Sequence, residues 1–244
     1  MHRLLALLAV LAALSTMAGC GDRGGDGSPP PAGATTLVLR LSELPGLLPP
    51  GGVAAVPPRY SLFGDGRLIS VPDGPSRGWP QLREDTVAPD DVRELYAAAA
   101  ALPDGPVADV PDGPVVQVTV GTAGGRHSVT LDRADPAAAR LLAALARHAD
   151  GPPVPYEATA VAIVATPADP TEPARPWPLP TLAGAPLGGT SAGSTCLVLR
   201  GADLDTARRA ATTADAAARW SSAGQVWQVA PRPLLPDETG CPDL

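Results

Sequence analysis

The pentapeptide Gly189-Thr190-Ser191-Ala192-Gly193 matches G-x-S-x-G, the pattern that presents a nucleophilic serine at a strand-to-helix turn. Acyl transfer from such an elbow needs a histidine later in the chain, and His2, His127 and His148 all precede Ser191. The pentapeptide also sits in a Gly-rich stretch before a strand, so it reads as a loop. Asp104, Asp109 and Asp112 crowd one segment and raise calcium, but they lack the regular alternation and distal glutamate of an EF-hand loop. A solvated acidic turn is the expectation there. No H-E-x-x-H and no cysteine pair at ligand spacing occurs, so neither a catalytic zinc nor any other cofactor is expected. Gly19-Cys20-Gly21-Asp22-Arg23-Gly24 spells G-x-G-x-x-G without the preceding strand that a dinucleotide site requires. The absence of lysine rules out Schiff-base chemistry and a Walker A loop, and the absence of asparagine rules out N-glycosylation.

Three residues remain as possible ligand contacts. His127 shares strand parity with Val129 and Leu131, so it is placed facing inward, either as a hydrogen-bonded strand histidine near the hairpin turn or as a ligand or titrating switch in a partly buried site. Trp79 and Trp177 lie in Pro-rich segments, where they either roof a core that has one phenylalanine, Phe63, or form aromatic platforms for a glycan or peptide. Trp227 alternates with Val229 and is expected in the core, and His148 suits the C-terminal end of a helix. Paired carboxylates need no local signature, which keeps an envelope hydrolase using acidic residues as the competing function.

Cys20 raises a different chemistry. His2 and Arg3 precede an apolar run from Leu4 to Leu14, followed by small residues, which is the layout of an export signal. Eleven helical residues reach roughly 16 Å, against the roughly 30 Å of a hydrocarbon layer. Ala18 and Gly19 stand directly before Cys20, and this arrangement resembles the lipobox of bacterial lipoproteins, with Met17 where that family usually has leucine. The resemblance implies removal of residues 1–19, diacylation of Cys20 with palmitate-like chains, and a membrane anchor. Two chains hold stably where one is marginal, at about 0.8 kcal/mol per buried methylene. Cys196 and Cys241 are then left as an even pair in an oxidising compartment, and a disulfide between them is expected.

Charge narrows the partners. The 244 residues carry 18 basic groups, all arginine, against 25 acidic ones; loss of Arg3 with the leader leaves a net of −8. That balance argues against nucleic acid and against an anionic lipid surface. Isoleucine occurs only at positions 69 and 163, and Ala, Gly, Pro and Arg dominate, which reflects a GC-rich genome and not a function.

The elements that position these residues come from periodicity and turn chemistry. Residues 20–36 are Gly, Pro and Asp with little to bury and read as a disordered tether, about 20 Å long on average. A strand at 37–41 and a Pro/Gly loop to Pro58 follow. In "YSLFGDGRLISV", residues 60–71, Asp65-Gly66 predicts a hairpin with a type I′ turn. A helix is predicted from Pro89 to Leu102, with Asp90 and Asp91 in its first turn. Alternation at Val116–Val120, a turn at Gly124-Gly125 and a return at His127–Leu131 predict a second hairpin, then a helix capped by Asp135. The remainder reads as strands at 158–166, 195–200 and 225–230 with a helix from Leu204 to Trp220. Three copies of Pro-Asp-Gly-Pro, at 72, 103 and 111, are turn punctuation. The expected class is α+β, mainly antiparallel, with two hairpin-helix units over 37–154 and a β-α-β segment over 155–244 that is either a second domain or a sheet extension.

"VPPRYSLFGDGRLISV", "GRHSVTL" and "RPLLPDETGC" resemble segments of secreted actinobacterial lipoproteins of unknown function, over most of the chain after Cys20. The resemblance implies location and general fold, and it brings no catalytic residues. The function expected from all of this is a non-catalytic binding or interaction module on the outer face of the cytoplasmic membrane, lipid-anchored, with an envelope protein, peptide or polymer as partner.

Overall fold

A computed structural model describes residues 28–74, 78–103, 113–152, 154–188 and 193–244. Cys20, the aspartates at 104, 109 and 112, and Ser191 lie outside the described residues. In chain order the elements are β1 (Leu37–Leu44), β2 (Tyr60–Phe63), β3 (Arg67–Ser70), β4 (Arg83–Thr86), α1 (Pro89–Ala100), β5 (Val115–Thr122), β6 (Gly125–Asp132), α2 (Pro136–His148) and β7 (Val154–Pro155). They continue with β8 (Ala160–Pro167), β9 (Arg175–Pro176), β10 (Ala185–Pro186), β11 (Thr195–Arg200), α3 (Gly201–Thr212), β12 (Arg219–Ser222) and β13 (Gln225–Pro233). The class is α+β: two sheets, antiparallel except where β12 meets β9.

The first sheet runs β6-β5-β1-β2-β3-β4-β7 and the second β10-β11-β8-β13-β12-β9. Alternation in β5 turns Val116, Val118 and Val120 to one face, where they meet Leu39, Leu41 and the apolar stripes of α1 and α2. Asp135 caps α2 by accepting from the amides of Ala137 and Ala138 at 2.7 and 3.2 Å, as Asp before Pro predicts. The second sheet buries Val161, Ile163 and Val229 against α3 and the four tryptophans. Its other face packs Ala160, Ala162 and Leu234 around Cys196 and Cys241.

Four expectations need correction. The chain is fixed before β1: Arg67 donates to the Ala34 carbonyl at 2.7 Å and Gly64 to that of Thr36 at 3.0 Å, so residues 34–36 belong to the folded body and not to a tether. The first hairpin does not use a type I′ turn. Gly66 alone has positive φ, at 87°, and its amide bonds the Phe63 carbonyl at 2.9 Å, giving a three-residue connection closed by a left-handed glycine. A polar strand, β4, then stands between that hairpin and α1. Finally, the third helix stops at Thr212 and does not reach Trp220, which pairs with Trp227 in a β12–β13 hairpin.

That last hairpin has the type I′ geometry expected elsewhere. Its two loop residues, Ala223 and Gly224, have φ of 52° and 78°. Alanine in the left-handed region costs roughly 1–2 kcal/mol, which asparagine and glycine largely avoid. Ala223→Asn is therefore expected to stabilise the protein by up to about 1 kcal/mol, read as a raised denaturation midpoint with an unchanged m value.

Candidate functional site

Charged residues converge at two places. The first is buried where the chain leaves β13. A turn closed by the Glu238 amide on the Leu235 carbonyl at 2.9 Å, with Pro236 and Asp237 at its centre, places Asp237 and Glu238 beside Arg40 of β1, with side chains 3% and 0% exposed. Arg232 of β13 donates to both oxygens of Glu238, at 2.9 and 2.8 Å, and the Leu235 amide adds a third bond at 2.8 Å. Arg40 of β1 reaches Asp237 at 2.8 Å and Glu238 at 3.2 Å, while Arg126 of β6 holds the other Asp237 oxygen at 2.8 Å. The cluster thus ties both sheets to one short segment. Burial pushes the Asp237 carboxyl above its ordinary value despite the nearby Arg40 and Arg126 guanidinium groups, and burial lowers Arg40. For Asp237 the linked stability is fully present below the usual aspartate range and is lost as pH rises through the raised value. Both carboxylates are paired with guanidinium groups.

The second place is a cleft of about 90 Å³ between the Trp79–Leu82 segment, the stretch from Pro155 to Ala158, Pro233 and the last turns of α3. Helical spacing builds one wall: Leu204, Ala207 and Ala211 are buried, and Arg208 and Thr212 sit at the border of that stripe, one turn apart. The Arg208 guanidinium lies over the Trp79 indole, 5.6 Å from the ring centroid, and donates to Glu157 at 2.9 Å. Its Nε has no hydrogen-bond partner. Gly78 lets the Trp79 segment approach α3 closely. Its amide bonds the Ala214 carbonyl at 3.3 Å, and a Cβ there would stand 2.9 Å from the same oxygen. On the opposite wall, Tyr156 donates to the Leu234 carbonyl at 2.9 Å, and burial pushes its phenol up to about 12.

The residues singled out from sequence fall as follows. Trp79 and Trp177 are 6% and 7% exposed, so neither is an open aromatic platform, because each ring is used to close the second core. Trp79 still lines the cleft, whereas Trp177 packs edge-on against Trp220 at 5.3 Å. His127 pairs across from Val120, on the helix-covered face, but is exposed, since it lies near the hairpin turn at the sheet's edge. Cys196 and Cys241 form a disulfide with a Cα–Cα distance of 6.0 Å, joining β11 to the turn after Gly240. Among the described residues there is no group of three or more metal-ligating side chains and no helix long and apolar enough to cross a membrane.

Sequence reasoning did not reach Arg208, Glu157 or the Arg40–Asp237–Glu238 cluster. Arg40 and Asp237 are 197 residues apart, and no local pattern links them. The available signal was Pro236-Asp237-Glu238 near Arg232, an acidic pair beside a base in an otherwise apolar tail. No protein-family model, curated protein or solved structure matches the chain.

Proposed function

We propose that this chain is a lipid-anchored, extracytoplasmic binding module of the cell envelope, without catalysis of its own. The observation that carries the binding reading is the cleft under Arg208, where a guanidinium seated on a buried indole has, among the described residues, only one solvent-exposed carboxylate as ion-pair partner. Such a group is stabilised by its protein support but weakly satisfied, which suits recognition. The Cys196–Cys241 disulfide supports an oxidising compartment, in keeping with the lipobox-like segment ending at Cys20. The same reading takes 37–154 as two hairpin-helix units and 155–244 as a β-α-β segment; it is supported by the run of β5, β6 and α2, with β4 as an insertion in the first unit.

Feeding an azide-bearing palmitate to the producing cells tests the anchor. The protein is expected to take up label, to start at Cys20, and to lose both properties in Cys20→Ser. An unlabelled chain with residues 1–19 still attached would overturn the anchor and the location together.

A further inference from the structure

We propose that the cleft under Arg208 is a carboxylate-binding site, and that Glu157, at its rim, pairs with Arg208 as an internal stand-in for the carboxylate of a peptide or other small acid. The proposal rests on the binding-module reading and names what the module binds. Arg208 is held in place by its stacking on Trp79, so its donors are organised before any ligand arrives. A guanidinium so held matches the two oxygens of a carboxylate.

Glu157 is the piece that can move. Its side chain is 72% exposed while that of Arg208 is 32% exposed, so the ion pair is solvent-screened and weak. An incoming carboxylate would therefore replace an interaction that is easily given up, and the Glu157 carboxylate would be rehydrated as it leaves. Glu157 accepts one bond, from Arg208 Nη1 at 2.9 Å, where a guanidinium can give a carboxylate two, so the pair leaves the fork incompletely used.

The remaining walls set the rest of the ligand. The lining is mixed: Pro80, Leu82, Pro155 and Pro233 bring apolar surface, and Gln81 and Thr212 bring polar groups, around a space of about 90 Å³. That is room for a carboxylate and a short aliphatic group, on the scale of about three water volumes. Arg208 repels a cation, and one guanidinium with no second cation among the described residues of the lining leaves a strongly hydrated dianion such as phosphate poorly compensated.

The test uses the ¹H–¹⁵N resonances of the four tryptophan indoles in the mature protein, with that of Trp79 assigned by Trp79→Phe. N-acetylalanine, N-acetylalanine amide and inorganic phosphate are titrated separately. N-acetylalanine is expected to shift the Trp79 indole saturably, with the amide and phosphate giving no saturable shift. Glu157→Gln is expected to tighten binding about threefold, and Arg208→Gln to abolish it while leaving the thermal transition in place. Equal binding of the amide or of phosphate, an unchanged or weaker affinity in Glu157→Gln, or no saturable shift would each overturn the proposal. Failure of lipid labelling would leave this result untouched and remove only the location. Breakdown of N-acetylalanine during the titration would overturn the non-catalytic reading while keeping the site.

Discussion

Glu238→Ala is expected to lower the free energy of unfolding by about 3–5 kcal/mol, seen as a large fall in the urea midpoint. The change leaves Arg232, whose side chain is 4% exposed, without the carboxylate that engages two of its nitrogens, and it frees the Leu235 amide as well. An unpaired buried guanidinium is costly because its hydration is not restored. The pair as a whole contributes far less than its rupture costs, since both charges were desolvated to form it. Replacing the two together, Arg232→Met with Glu238→Leu, is accordingly expected to be much milder than Glu238→Ala alone. A Glu238→Ala loss below about 1 kcal/mol would mean that water reaches Arg232 in solution.

Reduction of the Cys196–Cys241 bond ranks second. The bridge closes a loop with a sequence separation of 45, for which the chain-entropy account gives up to about 4 kcal/mol. Cys196 is itself buried, in the small cluster with Ala160, Ala162 and Leu234. The expected result is a marked drop in melting temperature with dithiothreitol, and a Cys196→Ala/Cys241→Ala variant that melts with the reduced protein and ignores the reductant. Coincident melts of oxidised and reduced wild-type protein would show that the reduced chain retains the loop by packing alone.

Where local chemistry decides the backbone, the sequence was readable. Val116 to Val120 alternate because one face is covered, and β5 forms there; Asp135-Pro136 marks a helix start, and α2 begins there. Where tertiary contacts decide, local signals misled. The alanine-rich stretch before Trp220 has helix propensity to spare, yet Trp220 is pulled into β12 by pairing with Trp227. The type I′ turn was expected at Asp65-Gly66, where the residues suit it, and occurs at Ala223-Gly224, where alanine does not. β4, with the sequence Arg-Glu-Asp-Thr, has no apolar pattern at all, and it forms because β3 offers it an open edge. The cleft was half legible: Trp79 drew notice as an aromatic in a Pro-rich segment, but its partner Arg208 lies more than a hundred residues away on a helix whose extent was overestimated.

The tail that carries Asp237 and Glu238 has a further consequence for how the molecule is born. During synthesis β1 emerges far ahead of the carboxylates that neutralise Arg40, with 197 positions between Arg40 and Asp237. The first sheet can gather its valines and leucines early, but Arg40 must wait, solvated, until the segment carrying Asp237 and Glu238 reaches it. Pairing of Arg40 is therefore a long-range step, of the kind that makes folding slow and leaves the incomplete chain open to proteases until the Asp237–Glu238 segment docks.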